Sequence, residues 1–89
     1  MTFEWDEHKN VLNKEKHNIS FEEAQFAFFD SKRIILEDKK HSIDEDRFFC
    51  IGQIESGIVT IRFTIRKNVI RLFGAGYWRE GKRRYEEKS

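Results

Sequence analysis

Thr60, Arg62, Thr64 and Arg66 alternate with Val59, Ile61, Phe63 and Ile65 along one stretch of the chain. A period of two is a strand with one apolar face and one polar, twice-cationic face. Arg71 follows across the Lys67-Asn68 turn; on the same polar face it would make a patch of three guanidiniums, with Val69 and Phe73 beside it. Clustered guanidiniums repel unless anions complete them. Their planar forks match phosphate oxygens two at a time, and each phosphate contact releases condensed counterions. Phe73, Tyr77 and Trp78 are interleaved with these cations, which suits unstacked single-stranded bases better than a duplex groove. For Trp78 the other reading is packing of the last helix on the sheet. The expected RNA-contacting set is Lys16, Arg66, Lys67, Phe73, Lys82 and Arg83.

The net charge of +1 hides an asymmetry. Residues 1–61 carry eight basic and thirteen acidic side chains, whereas residues 62–84 carry eight basic ones against Glu80 alone. Charge segregated in this way points to a polyanion, or to an acidic protein partner, at the basic end; a merely solvated charged face is the plain alternative.

Holding RNA and cutting it are different demands. Cleavage needs a base for the 2′-hydroxyl, cations for the pentavalent phosphate and an acid for the leaving oxygen, but no metal. His8, His17 and His41 lack metal-ligand spacing, and no cofactor is expected. Cys50 lies in the apolar run Phe48-Phe49-Cys50-Ile51 and reads as a buried, inert thiol. Neither a hydrolase triad nor a Walker-type phosphate loop is present. His17, preceded by Lys16 at the end of a helix whose C-terminus favours a cation, is the first histidine to consider; a solvated helix-end residue is the alternative. His8 and His41 read as surface residues.

Positioning these groups requires a small fold. Asp6 is a plausible N-cap for a helix to about His17, with a thin apolar stripe of Val11, Leu12 and the ring of His8. Ser20-Phe21-Glu22-Glu23 is a capping box opening a second helix to about Asp30, whose apolar face is Phe21, Ala24, Phe28 and Phe29. Strands are expected over 33–37, 47–54, 58–66 and 69–75, with turns at Ser56-Gly57 and Lys67-Asn68 and a charged loop over 39–46. Phe3-Glu4-Trp5 is a short strand or an aromatic tuck. Helical composition returns over 77–87. The expected class is α+β: two N-terminal helices, a four-stranded antiparallel meander and a C-terminal helix, in one domain over 1–89. No apolar leader or membrane span is read in the chain, and the single cysteine suits the cytoplasm.

Further blocks carry a resemblance. Phe3-Glu4-Trp5-Asp6-Glu7, Lys9-Asn10, Lys16-His17, Ile19-Ser20-Phe21-Glu22-Glu23-Ala24, Glu37-Asp38, His41-Ser42, Asp46-Arg47-Phe48, Arg71 and Tyr85-Glu86-Glu87 together resemble the BrnT toxin family of type II toxin–antitoxin systems. The resemblance implies a RelE-like fold and metal-independent endoribonuclease activity that slows translation. It also implies a BrnA-type antitoxin, a ribbon-helix-helix protein that binds the operator, wraps the toxin and dimerises into a heterotetramer or larger assembly. DNA would then be met only through the antitoxin. Under this reading Arg62, Arg66, Arg71 and Arg79 bind phosphate, and His17 or Tyr85 moves the proton, although Tyr85 can equally pack the last helix. The chain departs from the family where many members have Ser and Arg at the end of the last strand: here stand Gly74 and Gly76. Either cleavage is weakened, leaving a non-catalytic RNA- or protein-binding module, or Arg79 replaces the lost guanidinium from the following turn. Close backbone approach to a ligand is another use for two glycines.

Overall fold

The computed structural model describes residues 1–88. Strand β1 (Phe3–Trp5) leads into α1 (Glu7–His17) and the short α2 (Phe21–Ala24), which tightens into a 3-10 helix over Gln25–Phe29. Then come β2 (Ile34–Glu37), a 3-10 turn (Lys39–His41), β3 (Phe48–Ile54), β4 (Gly57–Arg66), β5 (Val69–Gly76) and α3 (Arg79–Lys88). The sheet runs β1-β5-β4-β3-β2. The meander from β2 to β5 is antiparallel as expected. The expected four strands become five, because Phe3-Glu4-Trp5 pairs in parallel with Ile70, Arg71 and Leu72 and makes the sheet mixed. The β4–β5 turn has positive φ at both Lys67 and Asn68, the type I′ geometry whose twist matches a hairpin.

The two faces of the sheet are covered by different helices. On one, Val59, Ile61, Phe63, Cys50, Leu72 and Ala75 pack with Ile19, Phe21, Ala24, Ala27 and Phe28 into the main core. Phe28 stands edge-on to Phe63, with centroids 4.9 Å apart. On the other, α3 lays Tyr85 against Ile34 and Ile51. Gly52 lets the 3-10 helix lie against β3, since a Cβ there would come 2.6 Å from the carbonyl oxygen of Ala27.

The helices dock differently from the expected stripes. Asp6 caps α1 by accepting from the backbone amide of Lys9, but Val11 and Leu12 are half exposed, and the buried residues of α1 are Asn10 and Asn13. Asn13 donates to the carbonyls of Ile19 and Ala75 and accepts from the amide of Ala75. Its side chain thus serves as a strand neighbour on the edge of β5 beyond the reach of β1. Asn10 accepts from the amide of Phe21 and donates to Glu7 and Glu22. Two amides, whose donors and acceptors match a free backbone edge, replace an apolar stripe. The capping box of α2 forms as read, with Ser20 and Glu23 bonded reciprocally. The tighter 3-10 winding after Ala24 then turns Phe29 outward, 61% exposed, and buries Ala27 instead.

Candidate nucleic-acid interface

The polar face of β4 behaves as its alternation suggests, with one irregularity. Arg62 pairs with Gly74 and Phe63 with Leu72, so Phe73 is the extra residue of a β-bulge. Thr64 pairs with Arg71 and Arg66 with Val69, which sets all three arginines on one side of the sheet. The ring of Phe73 rises among them. Arg47 lies 4.5 Å from its centroid, Lys9 5.6 Å and Arg66 5.9 Å, so the ring face is a cation platform.

The cationic surface is smaller than the charge count implies and differently composed. Arg66 makes a two-pronged contact to Glu45, at 2.9 and 2.8 Å, and holds that carboxyl below its usual range. Arg71 bonds Glu4 at 3.1 Å across the parallel β1–β5 pair. Arg83 is paired with Glu80 and Glu87, and Arg84 with Glu80. Arg62 stands over the flat backbone of Gly74, and the new cations beside it, Lys9 and Arg47, come from the acidic stretch before it.

Arg62 and Phe73 form a floor shared by two adjoining cavities. One, of about 190 Å³, is walled by Lys16 and His17 from the end of α1 and by Trp78. The other, of about 260 Å³, is walled by Arg47, Asp38 and His41. Together they make a groove with a histidine at each side. His17 meets Trp78 edge-on, with centroids 5.7 Å apart. His41 Nδ1 lies 2.9 Å from Oδ2 of Asp38, whose side chain is only 8% exposed. A buried carboxylate bonded to one ring nitrogen fixes the tautomer and leaves the other nitrogen for proton transfer.

The segment read as a plain charged loop is what brings His41 and Arg47 here. The Ser42 hydroxyl donates to the carbonyl of Asp38 and accepts from the amide of Arg47, closing the loop on itself. The Asp38 amide also donates to the carbonyl of Arg47. Thr64, fully buried, donates to the carbonyl of Asp46, and Arg66 holds Glu45, so two residues of β4 strap the loop over the sheet. A local signal existed in Asp38-Lys39-Lys40-His41-Ser42: Asp and His three apart in a turn can bond each other, and Ser can close it.

Of the expected site residues, Arg62, Phe73, His17 and Lys16 meet in this groove, with Arg66 and Arg71 beside it but ion-paired. Five others do not join them. Arg79 and Lys82 line a separate cavity with Tyr77, Gln53 and Ser56. Lys67 occupies the β4–β5 turn, and Arg83 is held within α3. Tyr85 is 7% exposed and donates to Oδ2 of Asp30 at 2.5 Å; that bond, with burial and the nearby charge, pushes its hydroxyl up to about 12. Asp30 also receives the amides of Gln53 and Lys32, so Tyr85 ties α3 to the sheet. Cys50 is wholly buried, and burial raises its thiol to about 12, as an inert core residue requires. Both glycines of the departure seat side chains: a Cβ at Gly74 would come 3.1 Å from Nη2 of Arg62, and one at Gly76 3.2 Å from the indole of Trp78.

The chain is thus a small α+β protein whose five-stranded sheet carries a cationic, histidine-flanked groove on one face. Residues 5–81 match the family described as ribonuclease toxin, BrnT, of type II toxin-antitoxin system, and the chain belongs to that family. At family level it is therefore a ribonuclease toxin with a protein antitoxin as its partner. No curated protein matches it. No helix among the described residues is long and apolar enough to cross a membrane.

Proposed function

We propose that the chain cleaves RNA in the groove floored by Arg62 and Phe73, by transesterification within the substrate and without a metal. The observation that supports this reading is the placing of His17 and the Asp38–His41 pair on opposite sides of one guanidinium. His41, held through Nδ1 by Asp38, takes the proton of the 2′-hydroxyl at Nε2. The 2′-oxygen attacks phosphorus, and Arg62, Arg47 and Lys9 balance the negative charge of the pentavalent phosphate. The phosphorus–5′-oxygen bond breaks as His17 supplies the proton. A 2′,3′-cyclic phosphate and a free 5′-hydroxyl result. Phe73 stacks a base beside the scissile bond. Arg66 and Arg71 act one step back, holding the loop and β1 in place.

In this reading the chain is one RelE-like domain acting in the cytoplasm, and translation fails because RNA is cut. Its antitoxin is a BrnA-type ribbon-helix-helix protein that covers the groove and assembles with the toxin as a heterotetramer or larger. Incubation with RNA in excess chelator tests the chemistry: cyclic-phosphate ends are expected, and their loss in His41→Ala with RNA binding retained. Intact RNA under those conditions, with binding that weakens steeply in salt, would instead mark a non-catalytic binding module.

A further inference from the structure

Helix α3 divides its cations into two kinds. Arg83 bonds Glu80 and Glu87, and Arg84 bonds Glu80, as spacings of three and four residues on a helix allow. Arg79 and Lys82, three apart and so on one side of the helix, have side chains with no ion pair or hydrogen bond among the described residues. Both are exposed, and both line a cavity of about 500 Å³ beside the β3–β4 turn. Glu86 borders the same cavity but bonds neither of them. Two neighbouring cations left unneutralised are completed by an anion, and Arg with Lys suits a phosphate.

Two further features separate this surface from a solvated charged face. The first is Tyr77, which lines the cavity at 43% exposure and is nonetheless pinned. Its hydroxyl lies 2.7 Å from Oγ of Ser56, and its ring edge lies beside Gly57, where a Cβ would come 3.8 Å from Cδ1 and Cε1. An exposed ring already fixed in place loses little freedom when something stacks on it. The second is continuity. Trp78 lines this cavity and also the side of the groove that holds Arg62, Lys16 and His17, so the two spaces adjoin at one indole.

We infer that this cavity is a second nucleotide subsite, in which a single RNA strand leaving the groove past Trp78 rests a flanking phosphate on Arg79 and Lys82 and stacks its base on Tyr77. The inference rests on the RNA-cleaving assignment of the groove. Cations that track a backbone, with aromatic faces between them, are what an unpaired strand requires, and the stacking is indifferent to which base is present. The subsite therefore supplies affinity and direction to the strand, while the chemistry stays at Arg62. A substrate that reaches both places is held at two phosphates, one on each side of Trp78.

The test compares two-nucleotide and six-nucleotide 2′-O-methyl RNAs, which lack the attacking hydroxyl, by titration against the amide resonances of the full chain. The shorter ligand should shift Arg62, Phe73 and His17 alone. The longer one should add Ser56, Tyr77, Arg79 and Lys82 and bind roughly tenfold tighter, the value of about one stacked base. Arg79→Gln combined with Lys82→Gln should erase that gain and lower the slope of log affinity against log salt by about 0.7, one phosphate contact on a single strand. Tyr77→Leu changes no charge and should also lose most of the gain; a gain untouched by it would reduce the surface to diffuse attraction and overturn the subsite. Shifts confined to the groove with the longer ligand would overturn the subsite and leave the groove standing. Shifts at both places, with unmodified RNA left whole, would uphold the subsite and remove cleavage. No shift at either place would remove both.

Discussion

Gly74 lies under the guanidinium of Arg62, close enough that a Cβ would stand 3.1 Å from Nη2 and 3.3 Å from Nε. Gly74, one of the two glycines that end β5, is thus the seat of the cation on which the proposed chemistry turns. Arg62→Ala should lower RNA cleavage by about 100-fold or more, the usual cost of removing a preorganised charge from a transition state. Because Arg62 is exposed, the melting temperature should hold. Cleavage kinetics and a thermal melt on the same preparation check both halves.

The Asp38–His41 pair gives a second expectation. Asp38→Asn preserves size and weakens the hold on Nδ1, so the turnover rate should fall on the order of 100-fold with substrate affinity little changed. Single-turnover kinetics separate the two effects. An unaltered turnover rate would exclude His41 as the base.

Asn13 is expected to matter more than any apolar residue of α1. Asn13→Ala leaves the amide and carbonyl of Ala75 and the carbonyl of Ile19 without this partner. The cost should be about 2–3 kcal/mol, or roughly 10–20 °C in Tm for a chain of this size. Val11→Ala, on a half-exposed side chain, should cost about 0.5 kcal/mol or less. Denaturant titrations of the two variants side by side make the comparison.

Gly52→Ala should be destabilising by about 2 kcal/mol or more, because its Cβ meets backbone at Ala27 and backbone cannot swing aside. Chemical denaturation measures it.

Stability should also carry the signature of the Tyr85–Asp30 bond at both ends of the pH scale. Burial works against the charged Asp30, but hydrogen bonds from Tyr85, Gln53 and Lys32 outweigh it and hold the carboxyl below the usual 3.8. A depressed carboxyl stabilises the fold above pH 3.8, and that contribution is lost as the pH falls below it. The Tyr85 hydroxyl, raised from 10 to about 12, contributes fully below pH 10 and loses its contribution as the pH climbs toward 12. Thermal melts of Tyr85→Phe across both windows should show a flatter curve than the parent chain, most clearly on the alkaline side.

Much of this fold is written locally. Ser20 and Glu23 announce a helix start through mutual bonding three residues apart, and the Val59–Arg66 alternation assigns each side chain to a face. Lys67-Asn68 suits a turn needing two positive φ angles, Asn directly and Lys by exposure. What escapes is settled by partners distant in sequence. Phe3-Glu4-Trp5 becomes a strand only because β5 offers an unpaired edge. Asn13 is core because Ala75 lies opposite it, and nothing near Asn13 announces Ala75. The groove followed the same division. Arg62 and Phe73 were legible from one hairpin, His17 from a helix end, but His41 and Arg47 needed the straps from Thr64 and Arg66. The charge count misled for a related reason: Glu4, Glu45 and Glu80 are remote from, or interleaved with, the cations they neutralise.

The pairing of Glu4 with Arg71 has a consequence for biosynthesis. Its two ends are separated by 67 positions, so the first strand waits, without its neighbour, until nearly the whole chain has left the ribosome. Asn13 waits for Ala75 across 62 positions. Contacts this non-local are slow to form, and the floor carrying Arg62 and Phe73 is bounded by them. A copy terminated before Arg71 and Ala75 therefore lacks both closing contacts, and the sheet beneath the groove is completed only by the last part of the chain to be made.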